Sequence, residues 1–201
     1  MYERIVIIGQ AGSGKSTLAH KLGPLLKIKV IHLDRKFWYS NWQEKPREIR
    51  IEIMQELVQK RRWIIEGSYL NSSDSRLNAA DTIIFLDMPF YFCFWWVIMR
   101  YLQYKKERRP DLPQGCPEKL SLRYILKVLV FPLRGRCLLR KKLAEISQRE
   151  ANNPALPKKN IHIFKSRKEV DAFLCQVPSR PREVYTHKES RPIQKAALNF
   201  G

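Results

Sequence analysis

The run Gly9-Gln10-Ala11-Gly12-Ser13-Gly14-Lys15-Ser16 sets glycines, a lysine and a hydroxyl in the spacing G-x-x-x-x-G-K-[ST]. Glycine lets a backbone curl until successive N–H groups point inward, where they cradle phosphate oxygens, and a helix that follows adds its positive end. Lys15 is placed to reach β- and γ-phosphates, and the Ser16 hydroxyl to join a Mg²⁺ shell otherwise made of phosphate and water. The apolar run Ile5-Val6-Ile7-Ile8 precedes the motif, and Thr17-Leu18-Ala19-His20 continues it into a segment able to be helical. That strand–loop–helix context is what the chemistry requires. Residues 9–17 are therefore the expected contact run for a nucleoside triphosphate, ATP with Mg²⁺.

Other residues are candidates for the rest of a reaction. Asp34 closes the second predicted strand, at the edge where open α/β sheets collect ligands. It either orients an acceptor hydroxyl or holds metal-bound water, or else it begins a loop or caps a helix. Glu66 ends the third predicted strand and either joins Ser16 at the metal by ordering its water ligands, or contacts the acceptor, or is a solvated terminus. Asp87 ends the fourth, where Met88-Pro89 after it points to a structural turn. Thirteen basic and three acidic residues stand between Arg100 and Lys142, more than half of the chain's net charge of +19. Phosphoryl transfer spreads negative charge over equatorial oxygens, and a guanidinium carried by a closing lid stabilises it. Arg100 and Arg109 lead as candidates, with Arg134 and Arg136 behind them; the alternative is a solvated basic face. Phe37, Trp38, Tyr39 and Trp42 either sandwich an acceptor ring or pack the next helix onto the sheet. His20 and His32 lack metal-spaced partners and are read as structural.

Positioning these groups demands a particular scaffold. Short β-branched runs at 4–8, 28–33, 63–66, 82–87 and 161–164 alternate with longer segments of helical period, the pattern of βαβ units about a parallel sheet. Ile49, Ile53 and Leu57 with Met54 and Val58 form one apolar stripe after Pro46. An aromatic helix runs from about 88 to 104, too short to span a bilayer and read as buried. The polar, proline-bearing stretch 105–118 reads as a mobile surface loop, followed by a basic helical region, 120–146, interrupted at Pro132. Ser166 to Glu169 is a capping box opening a last helix through Leu174. A chain of 201 residues, 44% hydrophobic, is consistent with one packed domain, 1–175, followed by a basic, flexible tail, 176–201. Cys93, Cys116, Cys137 and Cys175 lie far apart without metal or disulfide spacing, so they are expected to be reduced thiols of a cytoplasmic protein without a signal peptide.

Taken together, the phosphate loop, His32-Leu33-Asp34 with Trp38 and Trp42, Trp63 to Tyr69, Ala80 to Asp87, and Arg109-Pro110-Asp111 through Glu118 resemble one group of proteins. This is the nucleoside-monophosphate-kinase branch of P-loop proteins and, within it, the adenylate-kinase-related DNA topology modulation proteins, over about residues 4–175. The resemblance implies an α/β P-loop NTPase fold with a five-stranded parallel sheet between helices and a basic lid at about 105–118. It implies ATP- and Mg²⁺-dependent phosphoryl transfer to a small molecule, a nucleotide or nucleoside, and puts Lys165, Ser166 and Arg167 near the donor's adenine. Adenylate kinases carry Asp-Gly-Phe-Pro-Arg after the third strand; here the run is Glu66-Gly67-Ser68-Tyr69-Leu70. The arginine that grips an acceptor phosphate is missing from its usual place, and Arg76 is the nearest candidate to replace it. The charge also fits a second reading, an ATP-binding or ATP-hydrolysing regulator associated with nucleic acid. No membrane partner is expected.

Overall fold

The computed structural model describes residues 2–70, 73–104, 112, 115–116 and 121–178. The elements are β1 (Arg4–Gly9), α1 (Lys15–Leu26), β2 (Val30–His32), α2 (Leu33–Phe37), a 3₁₀ turn (Ser40–Trp42), α3 (Arg47–Val58), β3 (Trp63–Glu66), α4 (Ser73–Ala79), β4 (Thr82–Leu86), α5 (Phe90–Tyr104), α6 (Leu122–Val130), a π-helical turn (Phe131–Gly135), α7 (Arg136–Asn152), β5 (Asn160–Phe164) and α8 (Arg167–Gln176). The five strands form one sheet in the order β2-β3-β1-β4-β5. Every pairing is parallel.

Strand parity divides the core into two layers, as a parallel sheet covered on both faces requires. Val6, Ile8, Trp63, Ile65, Ile83 and Phe85 face α3, α4 and α7 through Met54, Leu57, Leu77, Leu139 and Leu143. Ile5, Ile7, Ile64, Ile84 and Leu86 face Leu18, Leu22 and Leu26 of α1, Cys93 of α5 and Phe173 of α8. The α/β sheet expected from the sequence is present, and its C-terminal edge is the rim on which β1, β2, β3 and β4 deliver their next residues.

Three expectations are corrected. The second strand begins at Val30 rather than at residue 28, because α1 ends in a left-handed Lys27 (φ 53°) and the Ile28 N–H is spent on the Gly23 carbonyl as the helix closes. Leu33 then starts a short helix, so Asp34 lies in α2 and not on the strand. The aromatic helix α5 is not buried: Cys93 and Val97 are, whereas Tyr91 is 76% and Trp95 58% exposed. No helix among the described residues is long and apolar enough to cross a membrane.

Pro132 interrupts the basic helical region as its missing N–H predicts, and the ladder widens there into the π-helical turn. The Ser166 hydroxyl accepts from the Glu169 N–H at 3.3 Å while Glu169 accepts from the Lys165 N–H at 2.8 Å, so the capping box forms. Arg109 and most of the expected lid lie outside the described residues, as does the tail beyond 178. The structure gives Arg136 work other than transition-state contact. Its Nε pairs with Asp87 Oδ1 at 2.6 Å, its Nη2 donates to the Met88 carbonyl at 2.8 Å, and Arg140 pairs with the other Asp87 oxygen. Asp87, its side chain 2% exposed, thus ties α7 to the end of β4.

Two outcomes check this framework. Arg136→Ala is expected to cost about 1–3 kcal/mol, because a buried carboxylate loses one of its cations, and to lower Tm by roughly 3–10 °C. An unshifted Tm with a lowered turnover would return Arg136 to catalysis. Gly12 (φ 80°) sits where an added Cβ would lie 2.1 Å from the Cys93 carbonyl oxygen, whereas at Gly14 (φ 92°) it would meet nothing within 4 Å. Gly14→Ala therefore pays only left-handed strain of about 1–2 kcal/mol, and Gly12→Ala adds overpacking of about 1–3 kcal/mol. Thermal melts should rank Gly12→Ala well below Gly14→Ala; equal values would contradict the packing of the loop on α5.

Candidate active site

The loop between β1 and α1 opens at the C-terminal edge of the sheet, beside the turn after β3 and under α6. A cleft of about 1690 Å³ runs from it toward α3, lined at one end by Gln10, Ala11, Lys15, Ser16 and Glu66 and at the other by Asp34, Trp38, Trp42, Met54 and Tyr69. Of the expected triphosphate run, Gly9, Gly12, Ser13, Gly14 and Thr17 shape the loop and its helix start without lining the cleft. The cleft exceeds the roughly 300–1,000 Å³ that holds one small ligand, so there is space for two.

At the first end, Lys15 Nζ donates to the Gln10 carbonyl at 2.7 Å, and Ser16 Oγ donates to Glu66 Oε1 at 3.2 Å. Loss of surrounding water lowers the pKa of the Lys15 ammonium; Glu66 and Asp34 oppose that shift and Arg100 adds to it. Glu66 is 5% exposed, which rules out the solvated-terminus alternative. Gln10 reaches across the cleft, its Nε2 donating to the Val128 carbonyl at 2.7 Å and so pinning α6 over the loop. Arg100 also lines the cleft, with Nη2 donating to the Tyr124 hydroxyl at 2.7 Å.

Hard oxygen donors suit Mg²⁺, and Ser16 and Glu66 supply two that converge. No group of three or more His, Cys, Asp or Glu among the described residues is arranged to hold a metal alone. Two such oxygens would leave a cation's remaining positions to other donors, phosphate and water.

At the second end, Trp38 Nε1 donates to the Tyr69 hydroxyl at 2.6 Å, and that hydroxyl donates to Asp34 Oδ1 at 2.5 Å. Burial first, then the Asp34 carboxylate, pushes the Tyr69 phenol well above its ordinary pKa, so it stays a donor. Trp38 and Trp42 meet edge to face at 5.5 Å, and both line the cleft. Phe37 is fully buried in the core, the packing role of the two expected, whereas Trp38 and Trp42 are open to the cleft.

Arg76 is corrected as a source of acceptor charge. It is 0% exposed, does not line the cleft, and donates through Nη2 to the Ser68 carbonyl at 2.8 Å. Burial lowers its pKa to about 10, which leaves it charged at neutral pH. Arg134 is exposed and does not line the cleft, and Arg167 lies over the Trp96 ring at 4.2 Å. Sequence reasoning missed Tyr69 as a partner of Asp34 and His32 as a partner of Glu66. The second follows from the sheet register, which sets His32 beside Glu66 and which residue spacing does not give; nothing in residue spacing marks the first either.

No protein-family profile and no curated protein matches this chain. Among solved structures, it is similar to a shikimate kinase from Acinetobacter baumannii in complex with shikimate, with a TM-score of 0.54 and 14% identity over 88% of this chain and 91% of that one. A sugar kinase from Janibacter sp. superposes with a TM-score of 0.45 and 15% identity, covering 88% of this chain and 92% of that one. A shikimate kinase from Aquifex aeolicus has a TM-score of 0.45 and 20% identity, covering 86% of this chain and 94% of that one. The Acinetobacter likeness shows the fold alone: an α/β fold, here with a five-stranded parallel sheet, shared with that kinase.

Proposed function

We propose that the protein is a phosphotransferase that moves the γ-phosphoryl group of ATP, with Mg²⁺, to a hydroxyl of a small molecule, with nucleosides and nucleotides as the first acceptors to test. One observation carries this reading: Lys15, Ser16 and Glu66 at one end, and Asp34 with Tyr69 and Trp38 at the other, line a single cleft large enough for two ligands.

Each residue then has a defined task. The loop amides and Lys15 hold the β- and γ-phosphates, and the desolvated ammonium is stabilised when phosphate charge replaces its bond to the Gln10 carbonyl. Ser16 and Glu66 would hold Mg²⁺, whose charge would screen that of the phosphates. The acceptor oxygen attacks phosphorus, the bond to the bridging oxygen of ADP breaks, and Asp34 takes the hydroxyl proton. Tyr69 fixes the carboxylate's orientation for that transfer. Arg100 stands over the Lys15 end, where equatorial charge develops. Trp38 and Trp42 offer rings for an acceptor to pack on.

The motif resemblance to DNA topology modulation proteins supports a place beside that group, and with it an alternative, an ATP-using regulator on nucleic acid, that rests on the +19 charge. DNA affinity measured against salt separates the two, since phosphate contact alone gives a Kd no tighter than ~10⁻⁴–10⁻⁶ M at physiological salt.

Acceptor-dependent ADP release across nucleosides, nucleoside monophosphates and hydroxylated metabolites is the deciding assay. Lys15→Ala is expected to cut turnover by about 10²-fold or more at an unchanged Tm. Asp34→Asn should lower kcat by about 10²–10⁴-fold with little change in ATP affinity. Near-normal turnover in either variant, or no ADP release with any acceptor, would refute the assignment.

A further inference from the structure

Helix period and sheet register bring four polar side chains together on the α1 side of the sheet. Ile31 and Ile65 face the α3–α4–α7 layer; their neighbours His32 and Glu66, Cα partners in the ladder, therefore face the other way, toward α1. Ser16 and His20, four residues apart, lie on one face of α1. The contacts follow from that placement. His32 Nδ1 lies 2.8 Å from Glu66 Oε1, the same oxygen that accepts from Ser16 Oγ. The His20 ring is tilted against His32 at 5.1 Å. The His32 and Glu66 side chains are 6% and 7% exposed.

We propose that His32 is a positioning residue for the metal end of the cleft, an inference that rests on the phosphotransferase reading. An ionised carboxylate only accepts hydrogen bonds, so Nδ1 carries the proton and donates to Glu66. That bond holds Oε1 toward the Ser16 hydroxyl. The competing cation is Lys15, for which Glu66 is the strongest attracting charge. Without the histidine donor the buried carboxylate swings to the ammonium, which takes Glu66 from the metal and Lys15 from the phosphates. Outer-shell donors of this kind change metal affinity by about 10–100-fold.

Calorimetry of the full chain with ATP, repeated over a series of Mg²⁺ concentrations, tests this without a turnover assay. His32→Leu is expected to raise the Mg²⁺ concentration for half-maximal ATP binding about tenfold or more, and to weaken ATP binding in the absence of Mg²⁺ as Lys15 turns from the phosphates to Glu66. His32→Asn, whose amide N–H stands near the place of Nδ1–H, should recover to within about threefold, whereas His32→Asp, which lacks the donor and sets a second carboxylate against Glu66, should not. The Asn and Asp pair decides the matter even if the leucine variant does not fold. Wild-type Mg²⁺ dependence in His32→Asp, or equal defects in Asn and Asp accompanied by a lower Tm, would overturn the role of the donor and leave the site reading standing. A wild-type chain whose ATP binding ignores Mg²⁺ would instead overturn that site reading, and this inference with it.

Discussion

Between Gly9 and Lys15 the chain must leave the sheet, double back over α5 and start a helix, and at its tightest point there is no volume for a side chain. The Cys93 carbonyl fills the place where a Cβ of Gly12 would go. That contact sets the depth of the loop and therefore where its amides and Lys15 can stand. It also gives α5 a narrow seat, through Cys93 and Val97. Tyr91 and Trp95, two residues out of phase with that pair, fall on the opposite side of the helix and face outward. An apolar helix with an exposed aromatic side is thus a consequence of how the phosphate loop is packed.

Charge is distributed by the same logic. Inside the cleft, one desolvated ammonium is balanced by Glu66 and Asp34 from neighbouring elements, where Coulomb terms are strong because water is scarce. Outside, many cations of the basic region serve the framework. Arg136 and Arg140 converge on Asp87, and Lys142 reaches Asp74 from the same helix. The concentration of basic residues after Arg100 is therefore partly what fastens α7 to the sheet and to α4, so a charge count overstates how much of it is available to a ligand.

The parallel sheet, the strand–loop–helix motif and the capping box were legible in the sequence because each rests on local rules: short continuous β-branched runs, glycine spacing, and a serine three residues before a glutamate. Glu66 was legible as a strand-end carboxylate, and Asp34 as a carboxylate near a strand end, though it stands in the short helix that follows. Their partners were not. Tyr69 meets Asp34 across a separation of 35 residues, and Gln10 meets Val128 across 118. Such pairs are fixed by how layers stack, which no local pattern encodes. Arg76 shows the opposite failure. Its nearness to the end of β3 suggested a ligand contact, but one helical turn of α4 directs it into the protein and not into the cleft.

That buried guanidinium has a structural logic of its own. A charge held away from water is costly, and a well-packed apolar side chain at such a place is often no less stable. Arg76 holds the Ser68 carbonyl, and the two residues of that turn act in opposite directions: the Ser68 hydroxyl donates to the Gly9 carbonyl at the root of the phosphate loop, while the Tyr69 hydroxyl donates to Asp34 on the acceptor side. One short turn thus spans both ends of the cleft, and the arginine is the anchor that fixes it. Phosphoryl transfer depends on holding two reactants in line, and small displacements are expensive. On the proposed phosphotransferase reading, a turn that ties the phosphate loop and the Asp34 carboxylate to the same backbone atom meets that requirement, which gives a reason for keeping a charge where packing alone would favour a hydrocarbon.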